Sequence, residues 1–450
     1  MRQNIAVPRI APTTHEGGAA TNTSAFLQLR RSVLSCLLWE KTFYEDGQEI
    51  ATRIRELCQQ VSPEHVAALA VEARTKYHLR HVPLLLCREL ARHPRRNAAL
   101  VREALVGTLQ RPDELGEFLA IYWEEKRQPL SHAVKSGLAK SLQHFSAYQL
   151  AKWRGESAKI SLRDVLRLVH PKPTDDTQAQ LWGQLQRETL TTPDTWEVAL
   201  SRGDDKRNTW ERLLTSQELG GLALLRNLRN MCKVGVPKEK IAHVLATHKF
   251  PRVLPFRFIA AAREVPELEP EIEAAFLRVL STYGTLRGKT ILLVDVSGSM
   301  DDPLSARSVV RRVDAACGIA MMLRELCATG QIFSFSNHVQ EIPGRHGFAL
   351  RDAIVASQAH SGTYLGQAVA ALSRLPHDRF IVMTDEQSHD TFPTGTKGYC
   401  INVGCYRNGV SYRPGWIHID GFSEAVVEYI RTAENDAIEQ PAHRPQYANR

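Results

Sequence analysis

The sequence predicts two architectures in one chain: stacked α-helical hairpins up to about Leu280, then a doubly wound, mostly parallel α/β domain. Three observations carry this. In the first part apolar residues recur at three- and four-residue spacing, the period of one helix face. From Thr290 onward short β-rich runs alternate with helical ones, as in a sheet whose crossovers are helices. A chain of 450 residues also exceeds what a single core supports. The change of pattern near Gly284 places the boundaries at 1–284, 285–433 and a polar, Pro-containing tail at 434–450, expected to be flexible.

Within the first part, helical patterns run over 26–39, 47–60, 63–77, 97–109, 133–145, 220–232 and 238–247. Their starts are chemically marked. Ser62-Pro63-Glu64 combines a capping hydroxyl, a first-turn proline and an early acid, and Pro112-Asp113-Glu114 repeats the idea. Segments of about 15 to 20 residues joined by short turns suggest hairpins of the HEAT type, although no strict sequence period accompanies them. In the second part, strands are expected over 290–294, 331–335, 380–383, 400–403 and 416–419. Helices are expected over 305–328, 349–357, 364–375 and 423–432.

Charged and apolar fractions are ordinary for a soluble globular protein. No apolar run approaches the roughly 20 residues needed to span a bilayer, and the first residues lack the hydrophobic core of a secretory signal. A cytoplasmic location without membrane contact is the expectation. The eight cysteines, Cys36, Cys58, Cys87, Cys232, Cys317, Cys327, Cys400 and Cys405, mostly sit in apolar patterns as small hydrophobes and imply no disulfide framework. Net charge is +8, and its distribution is uneven: residues 1–250 carry +10 and residues 251–450 carry −2. The basic surplus points to a polyanionic partner for the first part alone.

Residues 290–300 read Thr-Ile-Leu-Leu-Val-Asp-Val-Ser-Gly-Ser-Met. An apolar run this short suits a strand buried on both faces, and Asp295, Ser297 and Ser299 then fall at its carboxyl end, where open α/β sheets bind ligands. Asp385 leaves a second short apolar strand in the same way, and Thr363 opens the helical pattern at 364–375 from a third loop. Carboxylates and hydroxyls are hard donors suited to a small dication, magnesium or manganese. Asp-x-Ser-x-Ser, then Thr, then Asp resembles the metal-ion-dependent adhesion site of von Willebrand factor A domains, whose habit is binding. An ordinary tight turn capped by an Asp is the plainer alternative. By contrast Gly284-Thr-Leu-Arg-Gly-Lys-Thr290 imitates a P-loop, but three residues separate its glycines where four are needed, and it precedes a strand.

Cations crowd one stretch of the first part. Lys126, Arg127, Lys135, Lys140, Lys152, Arg154, Lys159, Arg163 and Arg167 are interleaved with His144, Trp153 and His170. Lys and Arg supply sequence-independent affinity for phosphates, and rings stack on unpaired bases. The alternative is a set of solvated helix faces with Trp153 in the core. His78-Leu-Arg-His81 has a spacing that fits a metal pair, yet no third ligand accompanies it. Arg74, Lys76, Arg80 and Arg88 nearby favour an RNA-facing reading.

Ala147-Tyr-Gln-Leu-Ala-Lys-Trp-Arg154 followed by Ser161-Leu-Arg-Asp-Val-Leu-Arg-Leu-Val-His170-Pro-Lys-Pro173 resembles the RNA-facing region of the Ro autoantigen, or TROVE-domain, family. Trp210-Glu-Arg-Leu-Leu, Leu224-Leu-Arg-Asn-Leu228, Leu254-Pro-Phe-Arg-Phe258, the stretch 403–409 and Asp420-Gly-Phe422 recur there in the same order. The similarity covers nearly the whole chain apart from its tails. It implies a ring of HEAT-like repeats closed near a von Willebrand factor A domain, with a basic hole. Single-stranded 3′ ends of misfolded or structured RNAs enter that hole, and Y-like small noncoding RNA binds the outer surface, in RNA quality control. An exoribonuclease or other protein is an implied partner through the A-type domain, and the family implies a monomer and no enzyme. His170 matches the family's RNA-binding histidine, and Lys152 and Arg154 match its neighbouring basic positions. Glu386 stands where relatives often have Asn. A metal-dependent protein-binding scaffold remains the rival reading, and a metal-using hydrolase a more distant one.

Overall fold

Helix starts in the first part are set by short polar side chains that satisfy otherwise orphaned backbone N–H groups. Ser62 accepts from the N–H of His65, Asn97 from Ala99, Ser131 from Val134 and Asp175 from Gln178. Ser146 with Gln149, and Ser161 with Asp164, close reciprocal capping boxes. The computed structural model describes residues 13–14, 16–19, 24–34, 47–153, 159–191, 196–201, 205–216, 219–251, 253, 255–304, 310–404, 409–410, 413–421, 426–427, 429–431 and 433–434.

The helical part comprises α1 (Ala25–Leu34), α2 (Gly47–Gln60), α3 (Pro63–Thr75), α4 (His81–Arg92), α5 (Ala98–Thr108), α6 (Asp113–Tyr122), α7 (His132–Gln143) and α8 (Ala147–Lys152). It continues with α9 (Leu162–Val169), α10 (Asp176–Arg187), α11 (Trp196–Ser201), α12 (Lys206–Thr215), α13 (Gly221–Lys233), α14 (Lys238–Thr247), α15 (Pro255–Glu264) and α16 (Glu269–Leu280). Among the described residues the longest of these helices is the 14-residue α2. Pro112 caps α6 from outside its first turn, with no side-chain bond to offer. α1, α3, α5 and α7 pack in succession as one row, with α2, α4 and α6 as a second. This two-row stacking is the HEAT-like arrangement.

The α/β domain contains β1 (Leu286–Asp295), α17 (Arg312–Leu326), β2 (Cys327–Phe335), β3 (Val339–Glu341), α18 (Gly347–Val355), α19 (Leu365–Leu372), β4 (Arg379–Thr384), β5 (Gly398–Asn402) and β6 (Trp416–Asp420). The sheet order is β3-β2-β1-β4-β5-β6, parallel throughout except for the antiparallel edge β3. The sequence pattern gave no sign of β3, whose three residues alternate too briefly to register. Strand order reverses between β1 and β4, so the switch point of the sheet lies there. All six residues of β4 and the last six of β1 are buried, in keeping with a parallel strand covered on both faces. The P-loop imitation is absorbed into β1 from Leu286. Gly288, at φ +88°, occupies the register shift between Leu286 and Lys289.

Apolar packing is divided. One core gathers side chains of α1 to α10, from Leu29 to Leu190. A second runs from Trp210 through α13 to α16 and into the α/β domain, where α17 packs on α15 and on β1. A third, smaller cluster fills the other face of the sheet, with Phe392 stacked on Trp416 at 4.0 Å. Residues alternate along β1 accordingly: Leu292 and Val294 join the second core, Ile291 and Leu293 the third. Among the described residues the two large cores share no side chain, and unfolding is expected to show two transitions. Leu138→Ala, costing about 2–5 kcal/mol, lowers only the first unit and Leu323→Ala only the second. Hydrogen exchange along a urea series checks this, and an equal shift of all protected amides in both variants refutes it.

Candidate functional site

Parallel pairing of β1 with β4 sets Asp295 and Asp385 at adjacent strand ends, both fully buried. The Asp295 carboxylate accepts the Ser297 N–H at 2.9 Å and the Thr384 hydroxyl at 2.5 Å. The Ser297 and Ser299 hydroxyls stand 3.5 Å apart. Thr363 lies in the loop pinned beside them: Gly298 N–H donates to the Ser361 carbonyl at 2.9 Å, and the Thr363 carbonyl accepts from Ser388 Oγ at 3.0 Å. The structure thus gathers Asp295, Ser297, Ser299 and Asp385 and brings the Thr363 loop against them.

The electrostatics suit a cation. Burial, and then the Asp385 charge, push the Asp295 carboxyl up to about 7. Burial likewise raises Asp385, against the pull of Arg312. Two carboxylates held together in a desolvated site cost free energy that a hard dication would offset. Arg312, unnoticed in the sequence, supplies part of that charge from the first turn of α17. Its Nη1 donates to the Ser299 carbonyl at 2.9 Å and sits 3.5 Å from Asp385 Oδ2.

A second polar cluster borders the first. Glu386, in left-handed backbone at φ +63°, turns its carboxylate away from the Asp385 side toward α1. Arg31 Nη1 donates to Glu386 Oε2 at 2.8 Å, with both side chains buried. His418 Nδ1 lies 3.0 Å from Glu386 Oε1, and its Nε2 2.6 Å from Asp420. Burial opposes charge on this imidazole, but Asp420 and Glu386 outweigh it and lift His418 to about 9. Alongside, the Thr14 hydroxyl donates to the Ser388 carbonyl at 2.6 Å, and Glu16 pairs with His389 at 3.2 Å. None of these partners was visible in the sequence: Arg31 reads as one more cation on an amphipathic helix, and His418 as an alternating strand residue.

Of the cationic stretch, Lys152, Lys135, Lys140, His144, Lys159 and His170 are exposed or half-buried, and Arg154 lies outside the described residues. Trp153 is not a core residue: it is half-buried between cations, with Arg111 3.6 Å from its ring centre and Lys152 Nζ 5.2 Å. Lys152 also lies 6.0 Å from the ring of Tyr148, which is 55% exposed. His170 caps α9 in left-handed backbone at φ 49°. The arginines around the His78–His81 pair are occupied. Arg74 bonds Glu114, Arg80 bonds Asp113 and Glu117, and Arg88 bonds Glu89 and Glu125, so they hold helices together instead of presenting free charge. His78 sits at φ 53° outside α4, and the two histidines do not share a helix face. Among the described residues, no group of three or more His, Cys, Asp or Glu is placed to hold a metal. Cys400 is buried in β5, and Cys405 lies outside the described residues.

Comparison with known proteins gives a family match over part of the chain and a shared fold. Residues 181–362 match the TROVE domain model. Telomerase protein component 1 of Mus musculus is 34% identical over 95 residues, and that of Rattus norvegicus 32% identical over 110. These segments cover 20% and 23% of this chain and 4% of each relative, so the chain spans a small part of the curated relatives it matches. The RO (RSR) protein of Deinococcus radiodurans superposes with a TM-score of 0.61 at 18% identity, covering 90% of this chain and 98% of that one. The family match begins after the 147–173 stretch on which the sequence resemblance drew.

The His418 cluster carries a pH signature. A pKa raised from 6.5 to about 9 in the folded state contributes about 3 kcal/mol, fully present below about pH 6.5 and lost as pH rises through about 9. The melting temperature of the wild type is expected to fall between pH 7 and 9.5, and His418→Gln to flatten that fall. Calorimetry across this range checks it, and parallel profiles for both proteins refute it.

Proposed function

We propose that this chain, recognised as a TROVE-domain protein sharing the fold of a Ro protein, is a non-enzymatic RNA-binding protein. The observation that carries the reading is the run of Tyr148, Lys152, Trp153 and Arg111, in which exposed or half-exposed rings alternate with cations. Rings of this kind receive unpaired bases, while the Lys152 ammonium meets a backbone phosphate and Arg111 holds the Trp153 ring in place. Lys135, Lys140, His144, Lys159 and His170 extend the same surface in sequence. The finer reading is capture of single-stranded 3′ ends of misfolded or structured RNAs within the ring, with a Y-like small RNA on the outside, serving RNA quality control.

The strand-end site supports a companion role. Asp295, Ser297, Ser299, Thr363 and Asp385 would hold magnesium or manganese, and such an ion, left with few carboxylates, accepts a carboxylate or phosphate from a partner. A protein partner such as an exoribonuclease fits this chemistry. If the helical part binds protein and not RNA, the same site serves a metal-dependent scaffold.

Two measurements test these roles. An RNA duplex with a single-stranded 3′ overhang is expected to bind with strong salt dependence, and Trp153→Ala to weaken it by about 1–3 kcal/mol, the worth of one stacked base. Unchanged affinity in the variant, or affinity indifferent to salt, rejects the interface. Calorimetric titration with manganese is expected to show one site that tightens from pH 6 to 8, as the proton on Asp295 is lost, and that disappears in Asp385→Ala. Heat indistinguishable between wild type and variant rejects the metal assignment.

A further inference from the structure

Residues 13–14 and 16–19 form a strap that lies against the metal-site loops from the far end of the sequence. Thr13 and Ala19 make an antiparallel bridge; between them the Thr14 N–H donates to the Gly18 carbonyl at 2.9 Å, and Gly17 turns the chain at φ +83°. The Thr14 hydroxyl both closes and docks this loop. Its oxygen accepts the Gly18 N–H at 3.0 Å, and its proton goes to the Ser388 carbonyl at 2.6 Å. Gly18 packs on the same carbonyl so closely that a β-carbon there would stand 2.2 Å from it. Glu16 Oε2 lies 3.2 Å from Nε2 of His389. Three strap residues thus bear on two consecutive residues, Ser388 and His389.

Those two residues in turn grip Thr363 and the start of α19. Ser388 Oγ accepts the Leu365 N–H at 3.2 Å, and the His389 N–H donates to the Thr363 carbonyl at 2.9 Å. The His389 ring stacks on Tyr364, with centres 4.9 Å apart. Asp390 completes the hold, its carboxylate accepting the N–H of Gly366 at 2.7 Å and of Gln367 at 2.8 Å, donors that a first helical turn otherwise leaves orphaned. Residues 388–390 are therefore a clasp on the loop that carries Thr363, and the strap braces that clasp from outside. Its own hold is slight, because its described residues bring no large apolar side chain to bury. An element secured by a few polar contacts opens far more readily than the cores.

We infer that this strap is a positioning element for the strand-end cation: docked through Thr14, Glu16 and Gly18, it steadies Ser388 and His389 and so fixes Thr363; released, it lets that donor drift. A small dication that demands near-octahedral geometry loses affinity when one donor drifts. Since strap and cation act on the same loop, each strengthens the other by the same factor. The inference rests on the metal reading above and adds to it a segment from outside the α/β domain.

The test pairs manganese titration calorimetry of the full chain with the rate at which a glutamate-specific protease cuts after Glu16, followed by mass spectrometry. Thr14→Val, which loses both bonds of the hydroxyl, is expected to bind manganese about fivefold more weakly than the wild type, the low end of typical coupling between two sites. Thr14→Ser keeps the hydroxyl and is expected to match the wild type. Melting temperatures stay level in all three, because the strap lies outside the apolar cores, so weakened binding is not unfolding. Manganese is expected to slow the cut after Glu16 in the wild type and to leave it unchanged in Asp385→Ala. Equal manganese affinity in the wild type and Thr14→Val overturns the strap's role while leaving the metal reading intact, as does a Thr14→Ser variant as weak as Thr14→Val. A cut after Glu16 that is indifferent to bound manganese overturns it too. Absence of manganese binding by the wild type overturns both.

Discussion

The buried ion pair between Arg31 and Glu386 is the contact on which the closed arrangement of this chain depends. Among the described residues the apolar packing of α1 to α10 does not merge with that of α13 to α18, and α1 meets the α/β domain through polar groups. An apolar seam would tolerate sliding. A guanidinium and a carboxylate desolvated together do not, because separating them without water leaves each charge uncompensated, at a cost of several kcal/mol per ion. His418 and Asp420 extend the pair into a chain of alternating charge, and Glu386 holds it from left-handed backbone, a conformation that costs a residue with a β-carbon roughly 1–2 kcal/mol. Gly409 sits where any side chain would collide with both Arg31 and Glu386, so the loop there leaves room for the pair.

This seam and the strand-end site share a single hydroxyl. Thr384 donates to the Asp295 carboxylate and accepts the Glu386 N–H at 2.9 Å, so one side chain at the end of β4 touches both clusters. Consecutive residues then face opposite tasks: Asp385 points to Arg312, Glu386 to Arg31 and His418. The carboxylate at position 386 therefore has a physical reading. An amide there could not balance a buried guanidinium and a buried imidazolium, whereas a second carboxylate can.

What was legible in the sequence follows from period and from strand ends. Helices at 47–60 and 238–247 coincide with their periodic patterns because Gln60 and Thr247 are followed by breaks in that pattern. Asp295 and Asp385 were visible because a parallel strand buried on both faces is an unbroken apolar run, and the first polar residue after it is conspicuous. The seam was not legible, since Arg31 and Glu386 are 355 residues apart and nothing local marks either as buried. Trp153 was ambiguous for a related reason: an indole between cations and one in a core give the same sequence pattern, and only Arg111, from another loop, decides.

The charge surplus of the first 250 residues also means less, and more, than its size suggests. Ion pairs inside the helical stack, where Arg30, Arg55, Arg74, Arg80, Arg88, Arg92 and Arg163 each meet a carboxylate, leave the surplus itself unchanged, because those carboxylates are already counted in it. These pairs pin neighbouring helices and add nothing to a long-range field, because paired charges cancel beyond about a Debye length. The field that a polyanion meets therefore comes from cations without such partners. Arg111 shows the division within one residue: it bonds Asp113 at 2.7 Å while its plane covers Trp153, so the charge is spent and the stacking surface is kept. Lys152, beside it, bonds no carboxylate among the described residues and lies against two rings. A polyanion is drawn by the lysines and held by the rings, and the arginines fix the rings in place.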